Sequence, residues 1–260
     1  MKEMLVPLLS LFLLAFPFSG SSFQAEAQSP GFKVIVLTER GGLHESFVAA
    51  ALDFLHTLSG REHFAITVIN EANEVNDKLL ADCQVFIQLN FPPYRWNDTA
   101  KAAFVKYIEV GRGGWVGFHH ASLLGEFDGY PMWTWFSGFM GNIRFDNYIA
   151  ETTAGKVIVE DQQHPVMRNV PSSFTVEGEE WYTFNKDPRP NVHVLARVDE
   201  SSYDPPSGIK MGDHPVIWTN ETVKARNVYF LMGHQASLLK NEAFRTMLAN
   251  AILWAAGKNN

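Results

Sequence analysis

The chain alternates short apolar runs with segments in which apolar residues recur at helical spacing. The apolar runs of the first half predict buried strands at Phe32–Thr38, Phe64–Ile69, Gln84–Leu89 and Trp115–Phe118. The intervening periodic segments predict helices at Glu45–Leu58, which Ser59-Gly60 should end, at Asn76–Ala81 and at Thr99–Val110. This alternation predicts βαβ units with right-handed crossovers and a doubly wound, mainly parallel α/β sheet.

Shorter strand candidates follow in the second half of the chain. They predict an antiparallel extension of the same sheet, because no linker-like composition divides the chain into two domains. These candidates are Lys156–Val159, Phe174–Val176, Val192–Ala196, Pro215–Thr219 and the buried run Asn227–Met232, followed by a closing helix at Asn241–Ala256. The segment Phe127–Phe145 is rich in glycine and aromatic residues without a clear period, which predicts a helix packed on the site or a lid.

The amino terminus has the pattern of a secretory signal peptide. A basic Lys2 precedes the apolar run Leu5–Phe18, and Ala25-Glu26-Ala27 offers a small-residue cleavage site. The apolar run is too short for a comfortable membrane span. We therefore expect a signal peptide at residues 1–27 and a mature single domain at 28–260, periplasmic or secreted, with no membrane contact after cleavage.

Composition narrows the class of partner. The chain has 260 residues, 46% of them hydrophobic, and a formal net charge of -7. A phosphate-binding surface needs a basic face, so we expect no nucleic-acid partner. The single cysteine, Cys83, cannot form an intramolecular disulfide. Composition does not predict the oligomeric state.

Histidines follow three of the predicted strands, namely His44, the pair His119-His120, and His234. The carboxyl ends of parallel strands share one edge of a sheet, so these side chains should converge there. Histidine suits proton transfer and metal ligation near neutral pH. The alternatives are that His44 caps a helix, that His234 is an ordinary loop residue, and that one member of the pair is a core residue, because neighbours on a strand face opposite sides.

An acidic segment, Glu177–Glu180, precedes the aromatic pair Trp181-Tyr182. A carboxylate beside an imidazole can act as a base or orient the ring, and an aromatic wall can raise a carboxylate pKa. The alternative is a solvated acidic loop. His44, His120 and His234 with a glutamate could also form a site for a divalent metal ion, although the sequence identifies no cofactor.

Several familiar motifs are absent. The sequence contains no dinucleotide-binding glycine fingerprint, no Walker phosphate loop, no G-x-S-x-G elbow and no H-E-x-x-H zinc motif. The loop Glu39–Gly42 after the first strand is therefore not a dinucleotide-binding fingerprint.

Five short motifs, taken in order, resemble the trehalose-utilisation (ThuA-like) family over roughly Lys33 to Lys258. They are Gly41–Ser46, Gly117–Ala121, Glu177–Tyr182, Pro215–Trp218 leading to Gly233-His234, and Trp254–Gly257. The resemblance implies a flavodoxin-like fold similar to that of class I glutamine amidotransferases. In that superfamily a nucleophilic cysteine follows a central strand, whereas this chain has Phe118-His119-His120-Ala121 there. Glutamine hydrolysis is therefore not expected.

The resemblance also implies a substrate class, because the family is linked to trehalose, related disaccharides and 3-keto-glycosides. Our leading hypothesis is a carbohydrate-processing enzyme of lyase, isomerase or glycoside-hydrolase type, with His120 as base or ligand. The other catalytic candidates are His44, His119, His234, Glu179 and Glu180, and the candidate substrate contacts are Glu39, Trp133, Trp181, Tyr182 and Trp218. The alternatives are a non-catalytic carbohydrate-binding protein and an interaction protein that dimerises through Phe127–Phe145.

Overall fold

A computed structural model describes residues 31–258, so the predicted signal peptide lies outside the described residues. The strands are β1 (Phe32–Thr38), β2 (Phe64–Ile69), β3 (Val85–Leu89), β4 (Gly114–Phe118), β5 (Phe145–Tyr148), β6 (Thr153–Val159), β7 (Ser173–Glu179), β8 (Tyr182–Phe184), β9 (His193–Asp204), β10 (Pro215–Thr219) and β11 (Asn227–Phe230). The helices are α1 (Glu45–Glu62), α2 (Asp77–Leu80), α3 (Asp98–Val110), α4 (Thr134–Phe139) and α5 (Glu242–Ala255).

Nine strands form one sheet in the order β2-β1-β3-β4-β11-β10-β9-β6-β7. The first five of these strands pair in parallel, and the remaining pairings are antiparallel. The predicted mainly parallel α/β sheet with an antiparallel extension is confirmed. β5 and β8 form a separate two-stranded antiparallel sheet that was not predicted. β8 has only three residues, which are too few to show a repeating pattern of apolar and polar positions.

The central strand β4 packs against helices on both of its faces. The ring of Trp115 contacts Phe136 and Phe139 of α4. The ring of Phe118 contacts Phe47 of α1 and Phe244 of α5. Every residue of β4 is buried, as expected for a strand in a doubly wound sheet.

The predicted end of α1 is wrong. The helix continues through Ser59-Gly60 to Glu62, and His63 ends it in the left-handed region at φ 55°. One glycine inside a helix costs only about 1 kcal/mol relative to alanine, so it does not stop an otherwise stable helix. Among residues 31–258, no helix combines the length and the apolar character that a membrane crossing requires.

Candidate active site

Four histidine rings lie together at the carboxyl edge of the parallel strands. His44 immediately precedes α1, His119 and His120 follow β4, and His234 follows β11. The ring centroid of His44 lies 4.1 Å from that of His120, 4.7 Å from that of His234 and 4.9 Å from that of His119. Three loops that are distant in sequence therefore bring four imidazoles into contact.

His119 and His120 both reach this cluster because β4 ends at Phe118. A turn of 3-10 helix begins at His119, which has φ 38°, so the alternation expected along a strand does not apply. The two rings are nearly parallel, with centroids 5.3 Å apart and an interplanar angle of 14°. His119 is fully buried, yet its ring belongs to the cluster.

Glu180 lies at the centre of three of the imidazoles. Its Oε2 is 3.3 Å from Nε2 of His119, 3.5 Å from Nδ1 of His234 and 3.8 Å from Nε2 of His44. Nε2 of His44 is also 2.9 Å from Nδ1 of His234. One carboxylate oxygen and three ring nitrogens thus enclose a small buried volume.

Glu179 holds the backbone around this volume. Its carboxylate accepts hydrogen bonds from the backbone N–H groups of Glu180 at 3.0 Å, Gly233 at 3.0 Å and His234 at 3.1 Å. Both glutamates are buried, so the alternative of a solvated acidic loop is wrong. The segment lies at the end of β7 and packs against the loop after β11.

The protonation states differ within the cluster. Burial lowers the pKa of His119 to about 3, and burial also lowers that of His44. Burial opposes ionisation of Glu180, but the nearby imidazoles of His119, His234 and His44 hold its pKa well below the ordinary value. Burial acts against the charge of His234, yet the carboxylate of Glu180 raises its pKa overall. Burial raises the pKa of Glu179 to about 7 despite its backbone hydrogen bonds.

A second acid–imidazole contact lies beside this group. Oε2 of Glu39, in the loop after β1, is 2.8 Å from Nδ1 of His120 and 3.8 Å from Nδ1 of His44. The two atoms of the 2.8 Å contact lie close together, but neither Oε2 of Glu39 nor Nδ1 of His120 has a hydrogen-bonding partner of good geometry among residues 31–258.

A cavity of about 390 Å³ opens onto the cluster. The polar side chains on its wall are those of Glu39, His44, His120 and Glu180. The apolar and aromatic part of the wall comes from Leu43, Leu123, Phe127, Phe145, Tyr148 and Tyr182. A small molecule in this cavity would contact the acid–imidazole groups directly.

Two overlapping groups of side chains could hold a metal ion among the described residues. The first is His44, His119, Glu180 and His234, and the second is Glu39, His44 and His120. The first group contains His119, where the sequence predicted His120. His120 instead lies with Glu39 beside the cavity.

The model of the trehalose utilisation family, ThuA, matches residues 33–255. The chain belongs to the ThuA family. The predicted resemblance is therefore confirmed. No curated protein sequence matches this chain.

Solved structures agree with this assignment. The chain is similar to a putative ThuA-like protein from Bacteroides uniformis, with 28% identity, a TM-score of 0.78 and coverage of 90% of this chain and 95% of the other. It is also similar to a putative ThuA-like protein from Parabacteroides merdae, with 17% identity, a TM-score of 0.68 and coverage of 89% and 92%. The glutaminase domain of Trypanosoma brucei CTPS shares the fold at 10% identity, with a TM-score of 0.53 and coverage of 88% and 95%.

Three tryptophans predicted to contact substrate lie in the core of this ThuA-family protein. Trp181 and Trp218 are fully buried, so neither ring has a free face on which a sugar could stack. Trp181 donates its indole N–H to the carbonyl of Thr153. Trp133 packs against Trp96 and is not among the described residues that line the cavity. The prediction of a tryptophan stacking surface is wrong, because buried core contacts use these rings.

The predicted Tyr182 does line the cavity, together with aromatic residues that sequence reasoning did not single out. Phe127, Phe145 and Tyr148 complete this part of the wall. The sequence signal for Phe127 and Phe145 was the aromatic segment Phe127–Phe145. Its two ends reach the cavity, while its middle packs in the core around α4. Asn90 was also missed; its side-chain N–H donates to the carbonyl of Gly233 at 2.8 Å and holds the loop that carries His234.

Proposed function

We propose that this ThuA-family protein is an enzyme that transforms a 3-keto-glycoside related to trehalose by acid–base chemistry, with His120 as the base. The observation that carries the proposal is the contact of 2.8 Å between Glu39 and His120 at the wall of the cavity. A carboxylate beside an imidazole orients the ring and stabilises the imidazolium formed when the ring takes a proton. Since Nδ1 of His120 faces Glu39, Nε2 is the nitrogen left for the substrate.

The chemistry suits a ketone within a sugar ring. The ketone acidifies the C–H bonds on the adjacent carbons, so an imidazole can remove one of these protons and leave an enolate. In elimination, the enolate electrons form a carbon–carbon double bond, the glycosidic C–O bond breaks, the ketone re-forms, and the leaving alkoxide takes a proton from an acid. In isomerisation, the enolate is instead protonated at another position. Both routes balance without an oxidant or reductant.

The apolar part of the cavity supports a carbohydrate ligand. Aromatic side chains of Tyr148 and Tyr182 stand beside the acid–imidazole groups, and such faces pack against the C–H surfaces of sugars while polar groups fix orientation. Tyr148 is 41% exposed, so its ring is accessible to a bound molecule.

We further propose that the protein does not hydrolyse glutamine. Cys83 lies just before β3, at the amino end of that strand, whereas the histidine cluster lies at the carboxyl ends. The thiol is buried, and burial raises its pKa to about 11. A nucleophilic cysteine needs an accessible thiolate, so these properties support the proposal.

The test is turnover of 3-keto-trehalose and other 3-keto-glucosides by the purified protein, followed by chromatography of the products. We expect conversion by the wild type and a loss of about tenfold or more in His120→Ala. His56→Ala, on the exposed side of α1, is the matched control and should retain full activity. Full activity of His120→Ala would contradict the proposal. Saturable sugar binding with no product would contradict it as well and favour a non-catalytic binding protein.

A further inference from the structure

We propose that His44, His119, Glu180 and His234 bind one divalent transition-metal ion of the Zn²⁺ type. This inference deepens the proposed function, and any catalytic role of the ion rests on that function. Binding of the ion can be measured without a substrate. The ligand atoms are Nε2 of His44, Nε2 of His119, Oε2 of Glu180 and Nδ1 of His234.

The spacing of these four atoms fits a tetrahedral ion. Bonds of about 2.0–2.1 Å place neighbouring ligand atoms of a tetrahedron about 3.3 Å apart. The separations here are 2.9 Å between His44 and His234, and 3.3, 3.5 and 3.8 Å from Glu180 to His119, His234 and His44. All four atoms lie within 4.8 Å of one another. Four of the six separations between ligand atoms therefore lie within about 0.5 Å of the tetrahedral value.

The hydrogen bonds of His119 independently indicate a cation beside its Nε2. Its Nδ1 lies 2.9 Å from the carbonyl oxygen of Leu231, and its Nε2 lies 3.3 Å from Oε2 of Glu180. A carbonyl and a carboxylate can only accept, whereas a neutral imidazole has a single N–H. Either tautomer therefore leaves one lone pair facing another inside the protein.

Protonation of either His119 or Glu180 would remove this conflict, but neither protonation is favourable here. An imidazolium could donate to both acceptors, but His119 is fully buried, and a charge removed from water there costs free energy. A protonated Glu180 could donate to Nε2, but one proton cannot serve the three ring nitrogens of His119, His234 and His44 that lie 3.3, 3.5 and 3.8 Å from its Oε2. A cation between Nε2 and Oε2 satisfies both lone pairs and leaves Nδ1–H to donate to Leu231. Metal-ligating histidines commonly donate their other ring N–H to a backbone carbonyl in this way.

The surrounding contacts hold the ligands in place before any ion arrives. Glu179 accepts the backbone N–H groups of the ligands Glu180 and His234. Tyr229 donates its hydroxyl to the carbonyl of His119 at 3.0 Å. Such outer contacts fix ligand orientation and typically change metal affinity by about 10–100-fold.

The ligand chemistry selects the class of ion. Three imidazoles and one carboxylate suit Zn²⁺ and its neighbours in the first transition row, whereas Ca²⁺ and Mg²⁺ prefer all-oxygen sites. His44 and Glu180 also line the cavity, so a bound ion would lie beside the substrate. There it would supply Lewis-acid polarisation of the substrate ketone, which makes the adjacent C–H bonds more acidic.

The experiment is calorimetric titration of the chelator-treated full-length protein with ZnSO₄, repeated with Co²⁺ under a visible spectrum that reports tetrahedral geometry. We expect about one ion per chain, and an affinity loss of about a hundredfold or more in Glu180→Gln and His234→Gln. The control is His193→Gln, which removes a partly exposed histidine paired with Asp161 and Glu221 elsewhere on the surface. Circular dichroism checks that each variant is folded.

Binding that both site variants lose and the control retains supports the ion site. Failure to bind an ion stoichiometrically, or equal binding by wild type and site variants, overturns it. Loss of the ion in His193→Gln also overturns it, since the ion would then lie on the surface. A protein that binds Zn²⁺ but leaves 3-keto-glycosides unchanged would contradict the proposed function and keep the ion site. Turnover of 3-keto-glycosides without ion binding would support the proposed function and contradict the ion site.

Discussion

Oε2 of Glu39 lies 2.8 Å from Nδ1 of His120, and these atoms come from loops that follow two different parallel strands. If the carboxylate acts through the imidazole, the two side chains form one catalytic unit. The Glu39→Gln variant should then lose about tenfold or more in kcat/KM, and the double variant with His120→Ala should lose little beyond the His120→Ala variant alone. Steady-state kinetics of the four proteins gives the coupling. Losses that simply multiply would show that the two residues act independently.

Gly233 permits a close approach between the loop after β11 and the loop after β4. A Cβ at this position would lie 2.9 Å from Cβ of His119 and 3.0 Å from Oδ1 of Asn90. Gly233→Ala should therefore push His119 away and lower the free energy of unfolding by about 1–3 kcal/mol, with weaker Zn²⁺ binding. Urea denaturation and calorimetry measure the two effects.

The matched control is Gly208→Ala. A Cβ there would meet no other heavy atom of residues 31–258 within 4 Å. This variant should have nearly wild-type stability and ion affinity. If both alanine variants behave alike, close packing at Gly233 does not hold His119.

Tyr148 is an exposed aromatic wall of the cavity and has no acid–base contact with the cluster among the described residues. Tyr148→Ala should raise KM for a keto-glycoside several-fold while changing kcat little, because it removes packing that substrate and transition state share. Tyr130→Ala is the control, since Tyr130 is similarly exposed but does not line the cavity. A fall in kcat without a change in KM would assign Tyr148 to the chemical step instead.

His164 should make the protein sensitive to acid at a place away from the site. Burial, followed by the charge of His193, lowers the pKa of His164 to about 4. Its Nδ1 accepts the backbone N–H of Val166 at 3.3 Å, which needs an unprotonated ring nitrogen. Between the ordinary pKa of 6.5 and the lowered value, the unfolded chain binds the additional proton, so this contribution to stability is lost as pH falls through that range.

His164→Asn isolates the effect, because an asparagine oxygen can accept the same N–H without titrating. The variant should lose about 1 kcal/mol less than wild type between about pH 7 and about pH 5, after allowance for solvent screening. Urea denaturation at both pH values is the measurement, and the exposed His56→Asn should follow the wild type. Equal losses in all three proteins would contradict this role of His164.

The fold was predictable because its central strands are buried on both faces and therefore read as continuous apolar runs. Phe32–Thr38 and Pro215–Thr219, which are buried except at Lys33, match their predicted bounds for this reason. Asn97 caps α3 by accepting the backbone N–H of Ala100. The short strand β8 was not predictable, because three residues are too few to establish a helical or a strand period.

The candidate site was predictable only in part. Histidines at strand ends pointed to the correct edge of the sheet, since topology alone brings those ends together. The sequence did not reveal that His119 adopts a positive φ, and this conformation places its ring, instead of that of His120, beside Glu180. Nor did composition separate aromatic rings that fill the core, such as Trp181, from those that line the cavity, such as Tyr182.

Base catalysis by His120 is tested most directly by the loss of hydrogen from the carbons next to the ketone. A 3-keto-glucoside incubated with the protein in D₂O should lose the hydrogen on such a carbon, as measured by NMR. Recovered substrate or an isomer then carries deuterium there, and an elimination product carries a carbon–carbon double bond there. Base catalysis by His120 predicts a rate of hydrogen loss that depends on the wild-type protein and falls by about tenfold or more in His120→Ala. A converted substrate that keeps its original hydrogens on both adjacent carbons, or equal hydrogen loss with the variant, would contradict base catalysis by His120.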